Sequence, residues 1–392
     1  SRVRTEKMSN AKIYNIDPIK FNLDPYPDLK AMRRNQPISF VPELGATLMT
    51  LRDDIFINEK LINIFSSDQP DGLMTRLMGT NMMRKDGEAH KKERQATFKS
   101  FSPRTVQDVW KQSFVKATSN ILDSLQDKNT ADLVTEFAMP VSAEALKVIT
   151  GLENMNSTEM DRVSQGMIDG VANYSGNIEI ENNCQNCTAS IDYHIDDILT
   201  KLKNNPDNSL ISVQLEAGLS IDQLRANIKL AISGGQNEPR DAIAGTACTL
   251  LQYPDQLERI INQKNTWLEA FEEFGRWMSP IGMSPRRAIK EYSYEAVEFY
   301  PDDKVFFMFG SANRDETIFD SPEIFNIDRD TSLSITFGAG PHFCAGSWIS
   351  KVLIAEVALP MLFARLPELR LEEDITFSGW AFRGLKSAQV SW

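Results

Sequence analysis

The chain has 392 residues, 42% hydrophobic and 24% charged, with a formal net charge of −12 and a pI near 5.0. That is the composition of an ordinary folded protein, long enough to bury a large core and enclose a cofactor. The acidic balance argues against non-specific nucleic-acid binding. Four cysteines (Cys184, Cys187, Cys248, Cys344) at irregular spacing do not make a disulfide framework. With a polar N-terminus and no apolar run approaching about 18 residues, neither a signal peptide nor a membrane anchor is expected. The expectation is therefore a cytoplasmic protein with no membrane partner. No linker or repeat divides the chain, so residues 8–392 read as one domain, with residues 1–7 as a short extension ahead of it.

Asp24-Pro25-Tyr26-Pro27 leads into a short helix, and Ile38 to Leu51 reads as strands with a turn at Leu44-Gly45. Pro70, Gly72 and Gly79 predict an irregular loop from Phe65 to Asp86, and long loops in compact domains are often functional. This one has no aromatic residue after Phe65 but offers Gln69, Asp71, Arg76, Asn81 and several methionines. A helix then opens at Gly87, with His90 and Arg94 four apart on one face. Apolar residues recur at helical spacing from Thr105 to Leu202, interrupted between Gly170 and Asn183 by a polar stretch that reads as a mobile lid. Cys184-x-x-Cys187 follows, without the second pair a zinc site needs. His194 reads as a helix-surface residue.

Ile221 to Tyr253 is the longest candidate helix, long enough to cross the molecule. Its interior, Gly234-Gly235-Gln236-Asn237-Glu238-Pro239-Arg240, is hostile to helix. A conflict between local propensity and surrounding pattern points to a functional or strained site, two helices with a turn being the plainer alternative. Glu273-Phe274-Gly275-Arg276 places an acid and a base at i,i+3. Finally, Thr336 to Gly346 sets one cysteine among glycines, ahead of an apolar, helix-like run from Trp348 to Phe363. Glycines let such a loop close tightly around the sulfur, and a helix start favours thiolate over thiol.

Phe337, Gly340, Cys344 and Gly346, with His342 two before the cysteine and Gly338 as an addition, resemble the heme-binding loop of the cytochrome P450 family. Four further landmarks follow the family's order: His90-x-x-x-Arg94; the glycine-rich centre of the long helix; Glu273-x-x-Arg276 with Arg329; and Ser279-Pro280 to Arg286-Arg287. The resemblance runs from about Asp24 to Trp392. It implies a mainly α fold with a small β region, a triangular prism of long helices around a buried heme b.

In that fold Cys344 would be the metal ligand, with Phe337, His342 and Gly346 around it. His90, Arg94 and either Arg286 or Arg287 would hold the propionates. Asn237 and Glu238 would stand at the oxygen site, where most members carry an acid followed by threonine. Glu238 becomes the natural substitute for managing protons. Gly234, Ile281, Ser284 and Phe382 would face the substrate. The implied activity is that of a monooxygenase using O₂ and electrons from NAD(P)H through a ferredoxin reductase and a ferredoxin. Lys91, Lys92, Arg94, Lys99, Arg104 and Lys351 would form a basic patch that steers the ferredoxin.

The Asn237-Glu238-Pro239 segment and Gly379-Trp380-Ala381-Phe382-Arg383-Gly384 resemble the O-demethylating branch of the family. Its members act on methoxyarenes such as guaiacol or on 6-O-methyl-D-galactose from algal polysaccharide. The polar composition around the expected entrance favours the methylated sugar. A non-catalytic heme-binding sensor, a peroxide-driven peroxygenase and a zinc-stabilised protein using Cys184 and Cys187 are the alternatives.

Overall fold

The computed structural model describes residues 8–69, 72–173, 176–336 and 346–392. Helices dominate, and one six-stranded sheet joins N-terminal strands to two strands between residues 284 and 307. Its strands are β1 (Lys12–Ile13), β2 (Ile38–Val41), β3 (Ala46–Met49), β4 (Phe65–Ser66), β5 (Ser284–Ala288) and β6 (Lys304–Phe307), in the order β1-β2-β3-β6-β5-β4. β2 and β3 form the expected hairpin, with Gly45 taking the turn at φ +63°. β5 pairs with β6 on one side and β4 on the other. Successive side chains of a strand point to opposite faces, so Arg286 and Arg287 cannot face the same way.

Residues 65–86 are more ordered than expected. After β4 they contain the short helix α1 (Leu73–Met78) and a 3₁₀ turn at Met82–Arg84, capped by Asn81, whose carbonyl oxygen accepts from Met83 N. The helical body follows as α2 (Gly87–Phe101), α3 (Lys111–Leu125), α4 (Met139–Thr150), α5 (Ser157–Val171) and α6 (Ile178–Asn204). The expected lid shrinks to the connection between α5 and α6, because both helices continue through the polar stretch. Local caps explain this: Asn156 starts α5, and Asn177 accepts from Glu179 N at 2.9 Å to start α6.

Cys184 and Cys187 therefore lie within α6, buried against α5. A Cβ at Gly170 would stand 2.6 Å from Cys184 Sγ, and one at Gly166 would overlap Cys187 Sγ. The two thiols fill the grooves that two glycines leave. Burial raises both, Cys184 to about 11, so they are inert packing groups. Among the described residues no cluster of three or more acidic, histidine or cysteine side chains could hold a metal. The zinc alternative has no support here.

The long helix α7 (Ile221–Gln252) is unbroken and begins with a Ser220/Gln223 capping box. Pro239 lacks the N–H that would reach the Gly235 carbonyl. Ser142 of α4 compensates, donating to Gly235 O at 3.1 Å and Gln236 O at 2.8 Å. A hydroxyl from a neighbouring helix thus lets a proline sit mid-helix.

Helix α8 (Trp267–Met278) carries the acid–base pair, fully buried: Arg276 Nε meets Glu273 Oε1 at 2.6 Å, and Arg329 Nε meets Glu273 Oε2 at 3.1 Å. The second nitrogen of Arg276 donates to the carbonyls of Asn313 and Pro322. Asn313 in turn bonds Ser279 and accepts from Ile335 N, which pins the backbone leading to Thr336.

The last long helix, α9 (Ser347–Arg365), corrects the expectation about apolar runs. By length and composition it could cross a membrane, with mean hydropathy 1.5, but 61% of that window is buried inside the protein. It packs against α3, α7 and α8 as a core element. A hairpin of β7 (Phe377–Ser378) and β8 (Gly384–Leu385) closes the chain.

Replacing Gly166 with alanine should overpack the α5–α6 contact and cost about 1–3 kcal/mol. The double variant with Cys187→Ala should regain part of that loss, read as urea-unfolding midpoints.

Candidate functional site

A cavity of about 520 Å³ lies where α7, α9, β5 and the tip of the closing hairpin converge. From α7 it is lined by Gly234, Gly235, Glu238 and Pro239, and from α2 by His90 and Arg94. Ile281, Met283, Ser284 and Arg286 contribute from the segment entering β5, Phe382 from the hairpin tip, and Gly346 and Ile349 from the start of α9. Gly282 N donates to Ala381 O at 2.8 Å and Arg383 N to Pro280 O at 2.9 Å. These two bonds bring Ile281 and Phe382 to the same wall.

Alternation along β5 settles which arginine faces in. Arg286 is buried and lines the cavity, whereas Arg287 turns outward to the carbonyl of Asp68 and the carboxylate of Asp302. Arg286 is paired with Ser284 Oγ and with Glu59 Oε1 at 3.5 Å, and its Nε has no hydrogen-bond partner. Desolvation pulls its pKa down. A buried guanidinium with an unused N–H, beside His90 and Arg94 on the same cavity, fits the carboxylates of a porphyrin.

The glycines of α7 have different tasks. A Cβ at Gly234 would meet nothing within 4 Å, so this position opens onto the cavity. One at Gly235 would press on Leu146 of α4. Asn237, expected at the oxygen site, is not among the cavity-lining residues. Its side chain turns to α5, accepting from Ser164 Oγ at 2.5 Å and donating to Gln165 Oε1 at 3.4 Å. The reason is helical geometry, since neighbouring residues of a helix point about 100° apart and Glu238 takes the cavity side.

Glu238 is the unusual group. It lines the cavity, well beneath the protein surface, and no donor among the described residues reaches its carboxyl. Burial, with the charge of Asp241 one turn away, raises its pKa to about 7.

The wall opposite is mostly aliphatic: Leu73, Met74, Met82, Met83, Ile168 and Val171. Gln69, Thr75 and Asn173 interleave among them, while Asn81 is occupied as a cap. Sequence reasoning missed Arg84, Arg240 and Asp241. The one available signal was Arg240-Asp241, a charged pair opening an otherwise apolar half-helix. Phe337, His342 and Cys344 lie outside the described residues. Gly346 caps the start of α9 and lines the cavity.

A long helix over a cavity edged by buried cations, with an apolar helix starting beneath it, is the architecture of the heme-thiolate oxygenases. The family model for cytochrome P450 matches residues 269–365. The polyketide biosynthesis cytochrome P450 PksS of Bacillus subtilis (strain 168) is 28% identical over 95% of this chain and 96% of its own. A steroid C26-monooxygenase of Mycolicibacterium smegmatis is 26% identical over 88% of this chain and 86% of its own. The crystal structure of P450BioI in complex with an acyl-carrier protein bearing hexadec-9Z-enoic acid superposes with a TM-score of 0.88. It is 22% identical and covers 96% of this chain and all of that one. The chain has the cytochrome P450 fold and is similar in sequence to members of that family over nearly its whole length. It is a monooxygenase, an oxidoreductase, and its cofactor is heme b.

Arg286→Leu should speed heme loss to an apoprotein acceptor by about 10- to 100-fold, the worth of one charge-assisted bond. Arg287→Leu, on the opposite strand face, should stay close to the parent rate.

Proposed function

We propose that this cytochrome P450 oxidatively O-demethylates a small methyl ether that carries hydroxyl groups, with 6-O-methyl-D-galactose as the preferred candidate. The observation that carries this reading is Glu238, a cavity-facing carboxyl that no donor among the described residues reaches. A site with an unsatisfied acceptor rewards a ligand bearing hydroxyls and penalises one without them. Gln69 and Thr75 add hydrogen-bonding capacity among aliphatic walls that suit a methyl group or a sugar's apolar face. A methoxyarene such as guaiacol is the second reading, favoured by those same aliphatic walls and by Phe382. The curated relatives, whose names span polyketide and steroid chemistry, favour neither.

Cys344 would ligate the iron, with His342, Phe337 and Gly346 about the loop, and His90, Arg94 and Arg286 would bind the propionates. When bound, the heme supplies O₂ activation and oxygen insertion into a C–H bond of the methyl group. Hydroxylation of the methoxy carbon leaves a hemiacetal that collapses to the alcohol and formaldehyde. The balance is one ether, O₂, two electrons and two protons giving alcohol, formaldehyde and water. Below pH 7 Glu238 is neutral and can donate a proton into the cavity; above it the carboxylate can only accept one. Gly234 leaves room for the ligand beside it, and Ile281 and Phe382 close the far wall.

Electrons would come from a reduced ferredoxin, itself reduced by a NAD(P)H-dependent reductase. Lys91, Lys92 and Lys99 of α2 are exposed, with Arg104 beyond its end and Lys351 half-buried on α9. Phe98, 64% exposed, stands among them. Arg94, expected in this patch, lines the cavity instead. An apolar ring surrounded by lysines on a protein of net charge −12 suits an acidic partner.

A titration of the ferric heme spectrum decides the substrate. Saturable change with 6-O-methyl-D-galactose and none with guaiacol supports the sugar; the reverse result overturns it. Turnover should decline as pH rises through about 7, the value to which Glu238 is raised, and Glu238→Gln should abolish that limb. Reversing Lys91 and Lys92 to glutamate should slow ferredoxin-driven reduction by about tenfold at low salt, and the deficit should shrink as salt is added.

A further inference from the structure

Behind the cavity wall, α7 and α5 share a buried polar cluster that the family's chemistry does not by itself call for. Asp241, one helical turn beyond Glu238, is 6% exposed and lines no part of the cavity. Arg240 Nε donates to Asp241 Oδ1 at 3.3 Å, while Nη1 of the same guanidinium donates to Asp161 Oδ1 at 2.9 Å. Asp161 also accepts from Gln236 Nε2 at 2.9 Å, and its side chain is 26% exposed, so this end of the cluster meets solvent. Gly384 of β8 seals Asp241 from the other side, where a Cβ would lie within 2.8 Å of both carboxylate oxygens. Arg383, next to it, is committed to Leu23 O, Gly379 O and Met278 Sδ.

One guanidinium therefore stands between two carboxyls, Asp241 and Asp161 at the rim, and Asp241 lies one turn from Glu238, which faces the cavity. We infer that Asp241 is a positioning residue that acts through Glu238: it is the second carboxyl of a path that brings protons from the Asp161 side to the cavity. The inference rests on the reading of Glu238 given above. Each passage moves one proton and no electron. Neutral Glu238 releases its proton into the cavity, neutral Asp241 passes its own to the resulting carboxylate, and Asp241 is reprotonated from solvent at the Asp161 end. Burial and the charge of Asp161 hold Asp241 near 7 against the opposing pull of Arg240, in the same range as Glu238. Two acids one turn apart with matched proton affinity exchange a proton without a costly uphill step, and they titrate as a pair. An ion pair with a purely structural role would need Arg240 and Asp241 alone; it would not need Asp241 to sit one turn from an unpartnered cavity carboxyl.

The test is the infrared band of protonated carboxylic acid in the ferric holoenzyme, followed from pH 5 to pH 9 in the parent, Glu238→Gln and Asp241→Asn proteins. Loss of part of the band in Glu238→Gln assigns the Glu238 component. In Asp241→Asn the like charge is gone, so the remaining Glu238 component should titrate about one pH unit lower, and product formed per NADH should fall several-fold. An unchanged Glu238 midpoint in Asp241→Asn overturns the inference while leaving Glu238 intact. Absence of any band lost in Glu238→Gln, with turnover unaffected, overturns the reading of Glu238 itself. Should Asp241→Asn not retain heme, Asp161→Asn replaces it: a lower midpoint for the Asp241 component with a several-fold fall in product per NADH supports the path, and undiminished product per NADH overturns it.

Discussion

Pro239 takes one N–H out of the middle of the helix that crosses the core, and the site is arranged around the carbonyl this frees. Ser142 satisfies it from α4, so the helix stays continuous and α4 and α7 are locked at one point. A second bond of the same kind, from Ser164 of α5 to Ile232 O at 3.2 Å, holds the preceding turn. With the backbone tied on its rear face, the cavity face can carry two glycines and a carboxyl without collapsing. A straight helix without these ties would lose Gly235 O to an empty, desolvated environment, a cost on the order of 1–3 kcal/mol.

The consequence is a division of labour around one helix. The rear face holds Gln236, Asn237 and Arg240, all engaged with α5, while Asp241 lies on the side of Glu238, one turn further along the helix. The front presents Gly234 and Glu238 to the cavity. Where the family resemblance leads one to expect a charged acid, the chain carries Asn237, and that amide is spent on helix packing. The neighbouring Glu238 presents its carboxyl to the cavity. On the proposed reading, proton handling and helix–helix packing would be built from adjacent residues.

Away from the cavity, a second buried charge cluster holds the backbone that leads up to Thr336. Glu273, Arg276 and Arg329 would be costly as separate charges, but each is paired and the arginines also satisfy five carbonyls: Asn313, Pro322, Asp320, Ser321 and Ile324. Asn313 then fixes the approach to Thr336. The relatives differ widely in what their names say they act on, yet share this fold over nearly the full chain.

Much of this was legible from residue order. The helical periodicity, the β2–β3 hairpin, His90 with Arg94 on one helix face, the Glu273–Arg276 pair and the break in propensity at residues 234–240 all follow from local chemistry at fixed spacing, whereas Arg329 as the pair's partner rests on the family resemblance. What spacing could not settle were directions and partners. Arg286 faces in and Arg287 out because pairing with β6 and β4 sets the strand's orientation, and Asn237 faces α5 because of where that helix packs. The cysteines prove to be groove-fillers because glycines on another helix meet them. The apolar run at Ser347–Arg365 is core because other helices cover it. Periodicity is a property of one segment, and the sequence alone determined that. Which side of a segment meets which neighbour depends on contacts between residues far apart in the chain, so only the tertiary structure could decide it.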